Sequence, residues 1–306
     1  MFGIRDFLSF AYPIVFTFVV LFHVLLLYLI SWKSPASFKF LKFLLCQSSF
    51  FELSVGAMLV FLEPRLIASQ IPVEVRSYGL CRHFSPNSCH FLFLLHQIFG
   101  IAAATSICFT FYYKYVMIDF HQKAKLFFSY SLFFAPVFIS FILSIIIISR
   151  DNSELSGLKN IDSSSIVITY SKVKTLPNIL NFICITFSTL FYSILSLFYR
   201  SKIQSTIRLT SSKTQKHSQS LLKGLTIQAV LPLFFFIPSL GFYYFCILTG
   251  YQSDLQEYLY EPILILPVLF DPLLNMYFII PYRKAILDHF WKNGTISMNA
   301  SLSVVT

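Results

Sequence analysis

The amino-acid sequence predicts an all-α membrane protein, a bundle of seven transmembrane helices. Two observations carry this prediction. Of 306 residues, 56% are hydrophobic and 12% are charged, whereas soluble domains have roughly 45–50% apolar and about 25% charged residues. In addition, seven apolar segments are separated by polar connections, and each has about the 20 residues that a helix needs to cross a hydrocarbon core of about 30 Å.

The seven predicted spans are defined by their apolar composition, with polar, charged connections between them. In chain order they cover residues 7–30, 40–62, 89–117, 126–149, 176–199, 224–249 and 258–280. The first span is longer than the roughly 7–15 apolar residues of a signal peptide and lacks a cleavage site after it. We therefore expect it to remain as the first helix.

The distribution of Lys and Arg predicts the orientation, because cytoplasmic loops are enriched in positive charge. Fifteen Lys and Arg residues lie on the face that holds the C-terminus, and eight lie on the other face. The N-terminus is therefore expected outside and the C-terminus in the cytoplasm. The net charge of +10 then reflects this orientation and attraction to anionic lipid, so no nucleic-acid partner is expected.

After the seventh span, residues 283–292 are predicted to form a short helix on the inner leaflet, which completes a single transmembrane domain over residues 1–292. The apolar residues of this segment fall on one helical face: Ile286, Leu287, Phe290 and Trp291. Residues 293–306 are expected to be a cytoplasmic tail. The polar connection 201–220 is expected to be a flexible loop.

Prolines are concentrated in the last two spans, at Pro232, Pro238, Pro267 and Pro272. Proline inside a helix removes a backbone hydrogen bond and kinks the helix. These two helices are therefore predicted to be bent and movable, the alternative being that neighbouring helices simply accommodate the kinks. No repeat relates the two halves of the chain, which disfavours a secondary transporter built from inverted repeats.

Four stretches of sequence resemble the nematode serpentine chemoreceptors, most closely class delta (Srd) of the Str superfamily. They are YGLCRHFSPNSC at 78–89, followed by His96; FYYKY at 111–115; LLKGLTIQAVLP at 221–232; and FDPLLNMYFIIPYR at 270–283. Leu80 and Ser85 stand where the class more usually has Pro and Gly, and Lys114 stands where the family has Arg. The likeness covers nearly the whole chain.

This resemblance implies a G-protein-coupled receptor in the plasma membrane of sensory-neuron cilia, which binds a small environmental molecule and activates a heterotrimeric G protein. No metal or cofactor is expected, because the six cysteines do not form the CxxC pairs of a zinc site. The resemblance also implies two sets of functional residues. Contact with the G protein is expected from Tyr113, Lys114, Tyr115, Lys223 and Arg283, and switching is expected from Gln228, Pro232, Asp271 and Pro272, together with Glu52.

Two other classes of function were weighed against a receptor. The chain has no HExxH sequence, nucleophile elbow or Gly-rich phosphate loop, so an enzyme is not expected. The alternative is a seven-helix ligand-gated channel like the insect odorant receptors. Those have the opposite orientation, which the charge distribution disfavours.

His96 and Gln97 are the candidate ligand contacts. They lie about two helical turns beyond Cys89, at the depth where a receptor of this kind would hold a small molecule. Polar side chains in an apolar span face the bundle rather than lipid. Two interpretations remain: contact with a ligand, or a structural hydrogen bond to a neighbouring helix.

Cys81 and Cys89 are the two cysteines expected in an outside, oxidising connection, and we expect them to pair, the alternative being two free thiols. Many receptors instead tie the third helix to the loop between helices 4 and 5. That bridge cannot form here, because residues 150–176 contain no Cys.

Lys114 lies between Tyr113 and Tyr115 at the inner end of the third span. A cation in this place can hold an inactive bundle closed and meet the G protein when the sixth helix moves. Tyr and Lys are also favoured as anchors at any lipid boundary, so both interpretations remain.

Glu52 and Asp271 are carboxylates deep inside apolar spans, roughly 18 Å and 14 Å from the inner ends of their helices. Carboxylates at such depth are costly, and two close together repel. We expect them to face each other and to bias the inactive state through a proton, water or sodium ion. The alternative is that each hydrogen-bonds a separate helix, with Asp271 filling the backbone gap opened by Pro272.

Overall fold

The computed structural model describes residues 4–34, 39–67, 73–118, 126–155, 166–171, 176–207, 212–251 and 254–289. Within these ranges the chain is mostly helical. The α-helices are α1 (Ile4–Lys33), α2 (Lys39–Leu62), α3 (Pro86–Ile118), α4 (Leu126–Leu155), α5 (Leu176–Ile207), α6 (Ser212–Thr249), α7 (Asp254–Phe278) and α8 (Ile280–His289).

Of the described helices, α1 to α6 are each long and apolar enough to cross a membrane. The seventh candidate is a bent pair, Ile265–Phe278 followed by Ile280–His289, whose parts meet at 85°. The bend lies just before Pro281, which has no amide hydrogen to continue the helix. The prediction of a seven-helix membrane bundle is thus confirmed, and α8 begins three residues before the predicted interfacial segment; residues 290–306 lie outside the described part of the chain.

Helix α3 lies at the centre of the bundle, in contact with α2, α4, α5 and α6. Helix α1 closes the surrounding ring by packing against both α2 and α7. Large apolar side chains cover the outside of the ring, among them Phe10, Phe128 and Phe234, each at least 70% exposed. An outer surface of this kind is stable only against lipid. These exposed aromatic residues therefore face the bilayer.

One end of the bundle carries an antiparallel sheet that the all-α prediction did not include. Strands β1 (Pro64–Ile67) and β2 (Val73–Ser77) connect α2 to α3, and β3 (Ile166–Ser171) lies between α4 and α5. The strand order is β1-β2-β3, with a bulge in the β2–β3 pairing between Val75 and Arg76. We call this end of the bundle the sheet end, and the opposite end, where α7 bends into α8, the tail end.

The prediction of a flexible loop over residues 201–220 is wrong for its described part. Helix α5 continues to Ile207 and α6 begins at Ser212, so both helices extend past the apolar segments that marked them in the sequence. Residues such as Lys and Gln are good helix formers, and their polarity excludes them from hydrocarbon without excluding them from a helix. Apolar composition therefore marked the membrane boundary and not the end of the helix.

Candidate functional site

A cluster of polar side chains lies inside the bundle where α1, α2, α6 and α7 meet, and we call it the polar cluster. Each member is at most 6% exposed. It consists of His23, Ser48, Ser49, Glu52, Gln228, Asp271 and Asn275. Apolar side chains of the same helices pack on either side of it, including Leu26 and Leu45 toward the tail end and Val19 and Val55 toward the sheet end. Polar groups in such surroundings are costly unless they bond one another.

His23 connects α1 to α2 and to α7. Its Nε2 lies 3.2 Å from the carbonyl oxygen of Val268, and its Nδ1 lies 2.7 Å from the hydroxyl of Ser49. A carbonyl oxygen can only accept, so we assign the proton to Nε2; in the neutral ring, Nδ1 then accepts from Ser49. Val268 has this carbonyl available because Pro272, four residues later, has no amide hydrogen to donate to it.

The sequence left open what fills the gap opened by Pro272, and the structure assigns that position to His23 rather than to Asp271. Asp271 instead accepts a hydrogen bond of 3.0 Å from the side-chain amide of Asn275, one turn further along α7. The side chain of Gln228 on α6 lies beside the same carboxylate.

Glu52 on α2 and Asp271 on α7 lie beside each other inside the bundle. The Ser48 hydroxyl donates to Oε1 of Glu52 at 3.0 Å, and Nε2 of His23 lies 3.8 Å from Oε2 of the same carboxyl. Two adjacent carboxyls in an apolar interior repel each other when both are ionised. The arrangement can therefore hold one shared proton, or one charge, between α2 and α7.

The polar cluster contains three of the predicted switch residues, Glu52, Gln228 and Asp271, and the other two, Pro232 and Pro272, lie beside it in the chain. Sequence reasoning missed His23, Ser48, Ser49 and Asn275. Two signals could have found some of them. His23 is a polar residue deep in an apolar span, and Asn275 follows Asp271 by one helical turn on the same face.

The predicted coupling residues lie on three helices near the tail end. Tyr113 is buried with its ring 4.7 Å from that of Phe40, and the Tyr115 ring lies 5.7 Å from that of Tyr199. Lys114 is half-buried between them and Lys223 on α6 is exposed. On α8, the guanidinium of Arg283 lies 5.7 Å from the ring centre of Tyr277, and Tyr277 itself faces outward with 59% of its surface exposed.

His96 is buried on α3 and Gln97 is half-buried beside it. One turn closer to the sheet end, Phe93 belongs to an apolar core that includes Leu66 of β1, Val75 of β2 and Phe236 of α6. The predicted ligand contacts thus lie directly beneath a layer of packed apolar side chains that the sheet covers.

The sheet end is held together by a disulfide and by ion pairs. Cys81, in a short 3-10 helix, is bonded to Cys89 in the first turns of α3. The Arg65 guanidinium donates to Oε2 of Glu257 through Nε at 2.9 Å and Nη2 at 2.5 Å, which ties β1 to α7. In β2, a hydrogen bond from Arg76 to Glu74 raises the pKa of the Arg76 guanidinium above its usual value.

The segment that joins α4 to α5 is connected to α3, although it contains no cysteine. Strand β3 pairs with β2, and β2 is followed within a few residues by the disulfide-bonded Cys81. Backbone hydrogen bonds of the β2–β3 ladder therefore connect this segment to the sheet end of α3.

Seven apolar helices around an interior polar cluster define a multi-pass membrane protein of the serpentine receptor type. Residues 8–288 match the family described as "Serpentine type 7TM GPCR chemoreceptor Srd", and the chain belongs to this family. A similar protein from Caenorhabditis elegans, serpentine receptor class delta-40, is 34% identical over 297 residues, covering 92% of this chain and 91% of that protein. Serpentine receptor class delta-45 of the same organism is 29% identical over 294 residues, with 92% of each chain covered. The resemblance drawn from the sequence motifs is confirmed.

Proposed function

We propose that this chain is a chemosensory receptor which binds a small environmental molecule and activates a heterotrimeric G protein. Membership of a chemoreceptor family supports the class. The observation that carries the mechanism is the contact between Glu52 and Asp271 inside the polar cluster. It joins α2 to α7 through groups whose hydrogen bonds and charge depend on the distance between the helices, so a helix movement and a change in the cluster are coupled.

In this proposal the sheet end faces outside and the tail end faces the cytoplasm, in the plasma membrane of sensory cilia. The disulfide at the sheet end fits an oxidising compartment, and Lys and Arg are concentrated in the connections of the tail end, as cytoplasmic loops require. Epitope tags at the two termini test this orientation. An N-terminal tag should be accessible on intact cells, and a C-terminal tag should become accessible after permeabilisation.

The ligand site is proposed beside His96 and Gln97. The surrounding side chains toward the sheet end are apolar, with Phe93 and Phe236 among them, so an uncharged, lipophilic molecule with one or two polar groups suits this environment. Signalling to the G protein is proposed to run through Tyr113, Lys114 and Tyr115, with Lys223 and Arg283 as further contacts. The switch is proposed to consist of Glu52, Gln228, Pro232, Asp271 and Pro272.

The test is a ligand screen in cells that express the chain, compared with mock-transfected cells. A panel of volatile and pheromone-like molecules is applied while cytoplasmic calcium and whole-cell current are recorded. We expect a calcium response that disappears when heterotrimeric G proteins are inhibited. A ligand-evoked current that persists without G proteins would contradict the proposal and indicate a channel.

A further inference from the structure

The junction between α7 and α8 is a site where the regular hydrogen-bond pattern of a helix is interrupted. The amide of Ile279 still donates to the Asn275 carbonyl at 3.1 Å, but the amides of Tyr282 and Arg283 both donate to the Ile279 carbonyl, at 2.9 and 3.1 Å. In a continuous helix the Tyr282 amide would instead serve the carbonyl of Phe278. The 85° bend therefore leaves the Phe278 carbonyl in need of another donor.

That donor comes from α6. The hydroxyl of Ser220 donates to the Phe278 carbonyl at 2.8 Å. One turn further along α6, Gly224 lies so close to the junction that a Cβ at this position would be 2.6 Å from Cβ and 2.9 Å from Cγ of Phe278. Helix α6 thus contacts the junction by a hydrogen bond and by direct backbone approach, and an alanine at position 224 cannot adopt the same packing.

The same face of α6 also reaches the polar cluster. Ser220, Gly224 and Gln228 follow each other at intervals of four residues, so they lie on one side of the helix. Gln228 lies beside Asp271 of α7. All three contacts between this face and α7 would therefore change together if the tail end of α6 moved. Pro232, the next residue in this series, removes the amide hydrogen that would bond the Gln228 carbonyl, and this is a natural pivot for such a movement.

The junction is held from the other side as well. The hydroxyl of Tyr282, which is 1% exposed, shares a hydrogen bond of 2.6 Å with the Ser34 hydroxyl at the end of α1. Ile279 is also buried, in the apolar core of the tail end. The junction is therefore fixed on α1 and on the apolar core as well as on α6.

We propose that Ser220 and Gly224 form a clasp that holds the tail end of α6 against the α7–α8 junction and sets the distance between them. Ser220 supplies the hydrogen bond, and the absence of a side chain at Gly224 permits the close approach. The inference deepens the proposed function, because it assigns a regulatory contact to the surface through which a G protein would be reached.

The test measures a distance and needs neither ligand nor G protein. Spin labels are introduced through bioorthogonal amino acids at Gln219 of α6 and Lys284 of α8, both exposed, in purified receptor in nanodiscs. Gly224→Ala should lengthen the distance between the labels by at least about 1 Å, because ordinary carbon contacts are about 3.5–4.0 Å against the 2.6 Å available here. Ser220→Ala should broaden the distribution toward longer distances.

Two matched controls come from the same helices. At Gly241, also in α6, an added Cβ meets nothing within 4 Å, so Gly241→Ala should leave the distance unchanged. Ser239, also in α6, donates to the Phe235 carbonyl of its own turn, so Ser239→Ala should also be silent. If Gly224→Ala does not fold, Ser220→Ala carries the test alone.

Unchanged distances in both clasp variants would overturn the proposal, and so would an equal shift in Gly241→Ala. Basal signalling is measured separately on the same variants. A longer distance with no change in signalling would support the clasp and contradict the proposed G-protein coupling. The two failures are therefore distinguishable.

Discussion

The contact between Glu52 and Asp271 predicts strong coupling between substitutions at the two positions. Glu52→Gln keeps an oxygen that can accept from Ser48, and Asp271→Asn keeps one that can accept from Asn275. Each change therefore mainly removes charge from the carboxyl pair. Hydrogen bonds that involve a charged group contribute about 1.5–3 kcal/mol, and residues in contact show interaction energies of about 0.5–3 kcal/mol. We expect a coupling energy of about 1–3 kcal/mol.

The assay is a double-mutant cycle on the free energy of unfolding in lipid-containing micelles, with basal signalling recorded in parallel. Ser54→Ala and Tyr277→Phe provide a control cycle on the same two helices. Ser54 bonds the Phe50 carbonyl of its own helix and Tyr277 is exposed, so their effects should add within about 0.5 kcal/mol. Equally additive effects for Glu52→Gln and Asp271→Asn would refute the shared site and restore the interpretation of two separate hydrogen bonds.

Three further outcomes are expected. Cys81 and Cys89 should resist thiol labelling in surface receptor without reductant, and replacing both by Ser should lower stability by about 2–4 kcal/mol; labelling of both would count against the bridge. Arg65→Ala should cost roughly 2 kcal/mol in thermal unfolding because it leaves the buried Glu257 carboxylate unpaired, while the exposed Arg82→Ala should cost far less. Lys114→Glu should keep surface expression near normal but abolish ligand-evoked signalling, and unaltered signalling would leave Lys114 as a lipid-boundary anchor.

Glu52 and Asp271 could be paired from the sequence because the rise per residue of a helix converts position in a span into depth. His23 could not be assigned to them in the same way. Its depth was readable, but the face of α1 that meets α7 depends on how the helices pack, and an apolar helix surrounded by lipid and by apolar neighbours shows no marked polar face. The gap at Pro272 was foreseen, and the side chain that fills it was not.

The sheet was missed for a different reason. Val73-Glu74-Val75-Arg76 alternates apolar and polar residues, which is typical of a strand with one buried face. A short strand is stable only with partners, however, and the partner β3 lies on the far side of two transmembrane helices in the chain. Nothing in the local pattern of residues 166–171 identifies β2 as that partner, so the pairing became visible only in three dimensions.

Two of the α7 carbonyl groups that lack their usual backbone amide donor are served by side chains of different helices. The Val268 carbonyl, freed by Pro272, accepts from His23 of α1, and the Phe278 carbonyl, freed by the bend, accepts from Ser220 of α6. The Ser34 hydroxyl, just after α1, also bonds Tyr282 of α8, so the α1 side holds α7 and α8 at two depths. Helix α6 does the same from its own side, through Gln228 beside Asp271 and Ser220 at the Phe278 carbonyl, so a displacement of α6 from α7 has to disrupt both contacts.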